Sequence, residues 1–453
     1  MPESSSARGL ATRIAGGLRK AGFESYLVGG CVRDLLLGVE PADYDVATSA
    51  PPDQVLRLFP GSQAVGAHFG VVLVREKDAR GEGAQVEVAT FRTDHCYHDG
   101  RRPERVELVT DARQDVLRRD FTINALMMDP ETGQVLDYAG GREDLARRLI
   151  RTVGDPEARF GEDHLRMLRA IRFAARLGFS VEPETMAAIG RLCGLVHQVS
   201  AERVHDELAR ILTEGGARRG FELLEESGLL AQILPEVAAM QGVAQPPEFH
   251  PEGDVWIHTR MMLEGMRAPS LTLALGVLLH DVGKPPTFRV AERIRFDHHA
   301  EVGARMAVDM LGRLRFSQDD IRQVEALVAH HLRFKDVPRM RESTLKRFLR
   351  MDRFQEHLEL HRLDCACSHG LLDHYEFVKR KMEELPPEVL RPPRLLTGHD
   401  LIAAGYLPGP AFQRMLEAVE TAQLESRIST PEQARALVDE QFGPPAPSTP
   451  DSP

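Results

Sequence analysis

Nowhere does this chain stay apolar for long. Its longest such run, Leu271 to Leu279, falls far short of the about 20 residues a bilayer-spanning helix needs. The N-terminal segment MPESSSARGLATRIAGG lacks the apolar stretch of a secretion signal, so the expectation is a cytoplasmic chain with no membrane attachment. Cysteine is sparse and uneven: Cys31, Cys96, Cys193, Cys365 and Cys367 are odd in number and scattered, which excludes a disulfide framework. Cys365-Ala-Cys367 reads as two ordinary thiols. No internal repeat is evident. A basic excess is missing too, and the net charge of −11 excludes a protein that coats itself in nucleic acid. Local clustering says something different. Between Arg142 and Arg176 nine arginines face six acidic residues, and Arg101, Arg102, Arg105, Arg118 and Arg119 lie shortly upstream. The acidic excess comes later, as in MEELPPEVL, so a basic neck beside an acidic body could hold a polyanion locally.

With 453 residues, 42% of them hydrophobic, the chain needs several cores rather than one. As far as Tyr138, helical stretches such as ATRIAGGLRKAG and DQVLRLF alternate with strand-like runs such as SYLVGG, GVVLVRE and AQVEVATF. From Gly141 onward the periodicity is helical and strand signals are nearly absent. Pro246, Pro247 and Pro251 interrupt this half, and EELPPEVLRPPRLL marks a boundary near 385–395. The expected architecture is an α+β head with a mixed sheet over 9–140, followed by all-helical parts. These are a neck over 141–215, a body over 216–385 and a tail over 386–442, with 1–8 and the Pro/Ser-rich 443–453 expected to be disordered.

The densest chemistry lies in YLVGGCVRDLLLG and the DYD that follows. A strand, Tyr26–Val28, is expected to run through Gly29-Gly30 into a helix beginning near Val32. Two glycines let backbone come close to a phosphate, and Arg33 could add a bidentate donor. Asp43 and Asp45 flank Tyr44; in a strand their carboxylates share a face and suit Mg²⁺, which can bridge a triphosphate and activate a 3′-hydroxyl. Read alone, such a pair is a solvated strand edge; joined to strand–Gly-Gly–helix at this spacing, it reads as a metal site. Glu87, within Val86–Thr90, is either a third carboxylate from a neighbouring strand or an exposed strand residue.

Further on, Glu162, Asp163 and Arg166 lie in a helical stretch, with Arg169 and Arg172 at three-residue steps. A solvated salt-bridge ladder is one reading. In the other, a carboxylate accepts from the exocyclic amine of cytosine or adenine while a guanidinium donates to the ring nitrogen. Guanine and uracil present the opposite polarity and would leave charges unpaired. The helical half carries His258, then His280-Asp281 and Lys284 in LALGVLLHDVGK, His298-His299, His330-His331 and Asp364. Imidazole and carboxylate so gathered suit a divalent transition metal or Mg²⁺.

GGCVRD with DYD resembles the nucleotidyltransferase superfamily of DNA polymerase beta. FRTDHCYHDGRRPERVE, RRDFTINALMMD, DYAGGREDL, RFGEDHLRMLRAIRFAARLGF and SAERVHDEL, in that order, resemble its class II branch of tRNA nucleotidyltransferases and bacterial poly(A) polymerases. The resemblance implies a polymerase-beta-like palm whose catalytic carboxylates are Asp43 and Asp45, with Glu87 beside them and Gly29, Gly30 and Arg33 on the triphosphate. It implies base reading by the EDxxR of Glu162, Asp163 and Arg166, further nucleotide contacts from Arg169 and Arg172, Arg119 on the nucleotide, and Asp120 and Asn124 near the ribose. His95–Glu104 matches a loop that helps relatives switch from C to A addition, and it is undeleted. The His/Asp series resembles an HD phosphohydrolase domain. That implies His258, His280, Asp281 and Asp364 as metal ligands, with His299 and His330 on a second metal or a phosphate. The implied partners are tRNA or another RNA 3′ end, CTP and ATP. The implied activity is addition of C and A to tRNA, with poly(A) tailing and HD-type phosphoester hydrolysis as alternatives. The LLTGHDLIAAGYLPGPAFQRMLEAVETAQLES segment resembles the tail of HD-bearing tRNA nucleotidyltransferases.

Overall fold

The computed structural model describes residues 7–65, 70–77, 83–97, 103–248 and 253–445. It divides into two compact units: residues up to Ala239 with Arg267–Leu271 and Met310–Phe316, and Met240–Met266 with Thr272–Asp309 and Ser317 onward. The division near Ala239 falls inside the stretch expected as one helical body. Of the tails expected to be disordered, residues 1–6 and 446–453 lie outside the described residues, while Ala7 and Arg8 already belong to the first helix.

The first unit carries a seven-stranded mixed sheet. Its strands are β1 (Ser25–Val28), β2 (Asp45–Thr48), β3 (Gln63–Ala64), β4 (Val71–Lys77), β5 (Gly83–Thr90), β8 (Leu126–Met128) and β9 (Val135–Asp137). They lie in the order β3-β4-β5-β2-β1-β8-β9. Between β5 and β8 in the chain, β6 (Arg92–Tyr97) and β7 (Pro103–Leu108) form a separate antiparallel hairpin. It frames the expected switching loop, of which residues 98–102 lie outside the described residues. Neighbours in the large sheet are antiparallel except where β2 runs parallel to β5. Val46, Ala47 and Thr48 are all buried, as a strand covered on both faces requires.

One face of the sheet packs under helix α1 (Ala7–Lys20): Leu10, Ile14 and Leu18 meet Val46, Val72, Val74, Val86 and Val88. The other face gathers Val28, Ala47, Phe91 and Met127 against Ala112 and Val116 of α4 (Ala112–Leu117). Each buried valine contributes about 2 kcal/mol. Two short helices, α2 (Gly30–Leu36) and α3 (Pro52–Leu58), add Cys31, Val32 and Val55 to the α1 side.

After α5 (Gly141–Ala146) come α6 (Pro156–Glu162), α7 (Leu165–Leu177), α8 (Pro183–Leu192) and α9 (Ala201–Thr213). Two small strand pairs interrupt the helices after Gly141: Leu149–Ile150 with Ser180–Val181, and Phe288–Val290 with Ile294–Phe296. At two or three residues per strand they are too short for an alternation to register in the sequence.

The second unit is otherwise helical. Its central helix, Leu271–Leu279, is buried from Thr272 through Leu279, which explains the run of apolar residues. Separate cores form around Phe334, Phe348 and Phe354, and around Leu401, Met415 and Val438. Among the described residues no helix is long and apolar enough to cross a membrane.

Candidate active site and metal centre

Register in the head sheet brings the acidic residues together. Asp45 opens β2 directly beside Glu87 of β5, its partner across the parallel pair. Asp43 lies two residues ahead, just before the strand rather than in it. Asp45 is reached by solvent but flanked closely by protein. That crowding, then the charges of Glu87 and Asp43, push its carboxyl up to about 6 against an opposing pull from Arg119. A raised acid among like charges is a cluster short of cations.

Gly29 has φ 77, a left-handed conformation that favours glycine, and α2 starts immediately after it, two residues earlier than expected. A Cβ there would sit 3.4 Å from the Arg119 guanidinium, so Arg119 lies against the glycine turn. Buried Asp115 holds Arg119 at 2.9 Å, and Arg119 Nε, itself buried, finds no acceptor among the described residues. Arg33, the expected phosphate donor, does otherwise. It is buried, with Nε on Asp34 at 2.7 Å and Nη1 on the Asn124 side-chain oxygen at 2.7 Å. Both guanidinium groups lie beside the turn, Arg119 against Gly29 and Arg33 near Gly30.

Asp120 and Asn124 are also committed. Asp120 Oδ2 accepts from Arg169 at 2.8 and 2.7 Å, while Oδ1 accepts from the backbone N–H of Phe121 at 2.8 Å. Burial raises the Asp120 carboxyl, but Arg169, with Arg166 behind it, outweighs this and holds it below the usual range. Arg172 turns into the core, where Glu207 of α9 meets it at 2.7 Å. Arg33, Arg169 and Arg172 all pack over the Phe173 ring, at 5.4, 5.3 and 4.5 Å from its centre.

The EDxxR stretch is not one continuous helix. Asp163 is extended (φ −146, ψ 105) between α6 and α7, so its side chain does not ride the same helical face as Arg166 and Arg169. The break has a local cause: Asp163 Oδ1 accepts from Leu165 N at 3.1 Å, a short polar side chain competing with helical bonding. Its other oxygen is held at 2.8 Å by Arg203 of α9. Glu162 binds Arg166 Nη1 at 2.5 Å. Arg203 received no role from the sequence, although SAERVHDEL contains it; its pairing spans forty positions and becomes visible only once α7 and α9 pack.

In the second unit the helix Leu271–Leu279 ends directly before His280 and Asp281. Two triads form there, each with ligand atoms within 4.8 Å of one another: His258, His280 and Asp364, and Asp281, His299 and His331. Asp281 stands between them. Its Oδ2 lies 3.1 Å from His280 Nε2 and 2.6 Å from Lys284, and its Oδ1 lies 3.5 Å from His299 Nε2 and 3.9 Å from His331 Nε2. The histidine expected at this place was His330; one step along the turn the side chain points elsewhere, and His330 sits half-buried near Arg333 and His357.

The donor set suits a cation. His280, His299 and His331 each set Nδ1 against a backbone carbonyl, of Val277, Phe296 and Val328, at 2.9, 2.8 and 2.7 Å. A carbonyl only accepts, so in neutral His299 and His331 rings Nδ1 carries the proton and Nε2 presents a lone pair. His299 Nε2 and His331 Nε2 then face each other at 3.3 Å, two acceptors with a carboxylate close by, an arrangement that suits a cation between them. Burial lowers His331 to about 3 and also lowers His299, so both imidazoles are neutral. Against its own burial, Asp281 is kept ionised by His280 and Lys284. Beside the triads opens a cavity of about 460 Å³ whose rim includes Arg293, Arg295 and Lys335.

Gly283 explains the glycine of the HDVGK run. A Cβ there would meet the His299 carbonyl oxygen at 2.1 Å and Gly303 N at 2.6 Å, both backbone atoms. Gly283→Ala is expected to move His299 away from Asp281 and to destabilise the second unit by about 3 kcal/mol, read as a lower urea midpoint. An unchanged midpoint would show that the approach is not tight.

Comparison with known proteins follows the same order along the chain. Residues 25–151 match the family described as "Poly A polymerase head domain", 178–241 that described as "Probable RNA and SrmB- binding site of polymerase A", and 254–364 the HD domain. The CCA-adding enzyme of Geobacillus sp. (strain WCH70) is 48% identical over 216 residues, 48% of this chain and 52% of that protein. That of Levilactobacillus brevis is 43% identical over 221 residues, 49% of this chain and 54% of the relative. The chain thus spans about half the length of the curated relatives it matches. Among solved structures, the Bacillus stearothermophilus CCA-adding enzyme in complex with CTP superposes with a TM-score of 0.72 and 28% identity, over 97% of this chain and 98% of that one. The Thermotoga maritima CCA-adding enzyme complexed with tRNA shares the fold, with a TM-score of 0.58 and 19% identity over 95% and 94%. The chain thus carries, in sequence order, segments matching a poly(A) polymerase head, its RNA-binding segment and an HD domain, and over 97% of its length it is similar to a CCA-adding enzyme.

Proposed function

We propose that this protein is a template-independent nucleotidyltransferase that adds C and A to the 3′ end of tRNA from CTP and ATP, releasing pyrophosphate, in the cytoplasm. The observation that carries the proposal is Asp45 beside Glu87 on paired strands, with the charge of Asp43 acting on Asp45 and Arg119 against the Gly29 turn. Asp43 and Asp45, with Glu87 adjacent, would hold Mg²⁺. A metal there lowers the barrier by neutralising triphosphate charge and making the RNA 3′-hydroxyl a better nucleophile. Gly29 and Gly30 let the backbone approach the phosphates, and Arg119 sets its Nη1 against the same turn.

Base choice falls to Asp163 and Arg166. Each is fixed by a partner, Arg203 for the acceptor and Glu162 for the donor, so neither must be ordered when the nucleotide arrives. Asp163 accepts from the exocyclic amine of cytosine or adenine and Arg166 donates to the ring nitrogen. Uracil or guanine would set acceptor against carboxylate. Asp120, Asn124, Arg33, Arg169 and Arg172 hold this site's walls through their mutual pairs. The head, neck, body and tail limits drawn from the sequence are part of the same proposal.

The experiment incubates the protein with tRNA lacking its terminal CCA, and separately with an oligo(A) primer, with CTP, ATP or both, and sequences the extended ends. C, C and A on tRNA is the expected product; long A tails on the primer would assign a poly(A) polymerase instead. The two His/Asp triads favour a second activity in the same chain, hydrolysis of phosphoesters at a Mg²⁺ or transition-metal centre held by His258, His280, Asp281, Asp364, His299 and His331.

A further inference from the structure

Arg159 has no part in the chemistry above, yet both sides of the proposed nucleotide site lean on it. It lies in α6, its side chain only 15% exposed. All three guanidinium nitrogens are used: Nε donates to Val153 O at 3.0 Å, Nη2 to Leu117 O at 2.9 Å, and Nη1 to Arg118 O at 3.3 Å and Glu162 Oε2 at 2.9 Å. Leu117 and Arg118 end α4, where carbonyls have no donor within the helix and must find one outside. The next residue along is Arg119. On the opposite side, Glu162 Oε2 is the atom that also holds Arg166 Nη1, and the main-chain oxygen of Arg159 accepts from that same Nη1 at 3.1 Å. One residue therefore sets the backbone from which Arg119 projects and holds Arg166 directly through its carbonyl and indirectly through the shared Glu162 carboxylate.

We infer that Arg159 is a positioning residue that ties triphosphate placement by Arg119 to base selection by Arg166. The inference rests on the reading of Asp163 and Arg166 as the base-reading pair. A planar fork with donors in three directions is required; lysine, with one nitrogen on a flexible stem, keeps the charge and loses the geometry. Without the brace Arg166 keeps its charge but loses its fixed direction, and discrimination between bases depends on direction more than total binding does.

The test measures equilibrium binding of CTP and UTP in Mg²⁺ without RNA, and nucleotide addition to tRNA lacking CCA with each of the four triphosphates, for the full-length wild type and Arg159→Lys. Arg159→Lys is expected to weaken CTP binding about 30-fold, to raise KM more than it lowers kcat, and to cut the preference for CTP over UTP about tenfold. Glu162→Gln, which leaves the α4 carbonyls untouched, is expected to reproduce the loss of preference at an unchanged melting temperature. Combining the two should lose no more selectivity than the worse single variant, because both act on one contact. An Arg159→Lys protein equally weakened for all four nucleotides, or a double variant with additive losses, would overturn the role given to Arg159. A wild type that binds CTP and UTP alike would instead overturn the base-reading assignment beneath it.

Discussion

Asp45→Asn is expected to reduce nucleotide addition by about 10³ to 10⁴-fold while leaving the fold intact and slightly more stable without metal. The two halves of this result share one cause. Crowding by protein and the charges of Glu87 and Asp43 raise the Asp45 carboxyl to about 6, so near neutral pH three like charges sit together with Arg119 as the nearby cation. A carboxyl whose folded pKa lies above its unfolded value binds more protons in the folded state between those two values. The stability this confers is present at low pH and is lost as pH rises through about 6. At pH 7.5 the cluster therefore strains the protein, and asparagine, of the same shape without the charge, relieves it. Because Asp45 is open to solvent the gain is small, a rise of about 2 °C in the melting temperature of the first unit in chelator. Mg²⁺ should stabilise the wild type and leave Asp45→Asn unchanged. Addition by the wild type should fall as pH drops through about 6 and be recovered by more Mg²⁺, since proton and metal compete for the same oxygens. Full activity in Asp45→Asn, or a variant less stable than the wild type in chelator, would remove Asp45 from the catalytic centre.

How far the sequence alone anticipates this site follows from which contacts are local. The strand–Gly-Gly–helix turn and the aspartates after it are near neighbours in the chain, so residue types and spacing were enough to pick them out. Glu87 could be proposed because it sits in an alternating run, but its place beside Asp45 depends on β2 pairing in parallel with β5, a register no local pattern encodes. Arg33 shows how distant partners escape a local reading. An arginine after a glycine turn suggests a phosphate ligand, yet Asn124, ninety-one positions away, and Phe173 absorb it. Asp163 was placed on a helix by its neighbours' periodicity, whereas its own carboxylate stops α6 by bonding Leu165 N. Arg203 and Arg159 draw no notice in the sequence because Asp163 for the one, and the α4 and Val153 carbonyls for the other, come from other elements. In the second unit, HDVGK stood out by composition. The choice between His330 and His331 depends on where Gln318–His330 ends its last turn, a boundary periodicity leaves uncertain by a residue or two.

That choice leads to the second large effect. Asp281→Asn is expected to reduce divalent metal retained by the protein after gel filtration from near stoichiometric to background, and with it any hydrolysis of a simple phosphomonoester, while addition to tRNA continues. Asp281 belongs to one triad and borders the other: one oxygen faces His280 and the other faces His299 and His331. Losing its charge removes the anion that lets closely set lone pairs hold a cation, so affinity should fall by more than about 100-fold. Asparagine is the better substitution because buried Lys284 lies 2.6 Å from Asp281 and would be stranded by alanine at a cost of about 3 kcal/mol or more, whereas the amide oxygen still accepts from it. His331→Ala should behave like Asp281→Asn. His330→Ala should retain its metal, because its ring belongs to the neighbourhood of Arg333 and His357 rather than to the triads. Metal analysis of the three variants beside the wild type decides the matter: an emptied His330→Ala with a loaded His331→Ala would reverse the assignment. Full loading of Asp281→Asn would mean that the triads do not bind the ion at all.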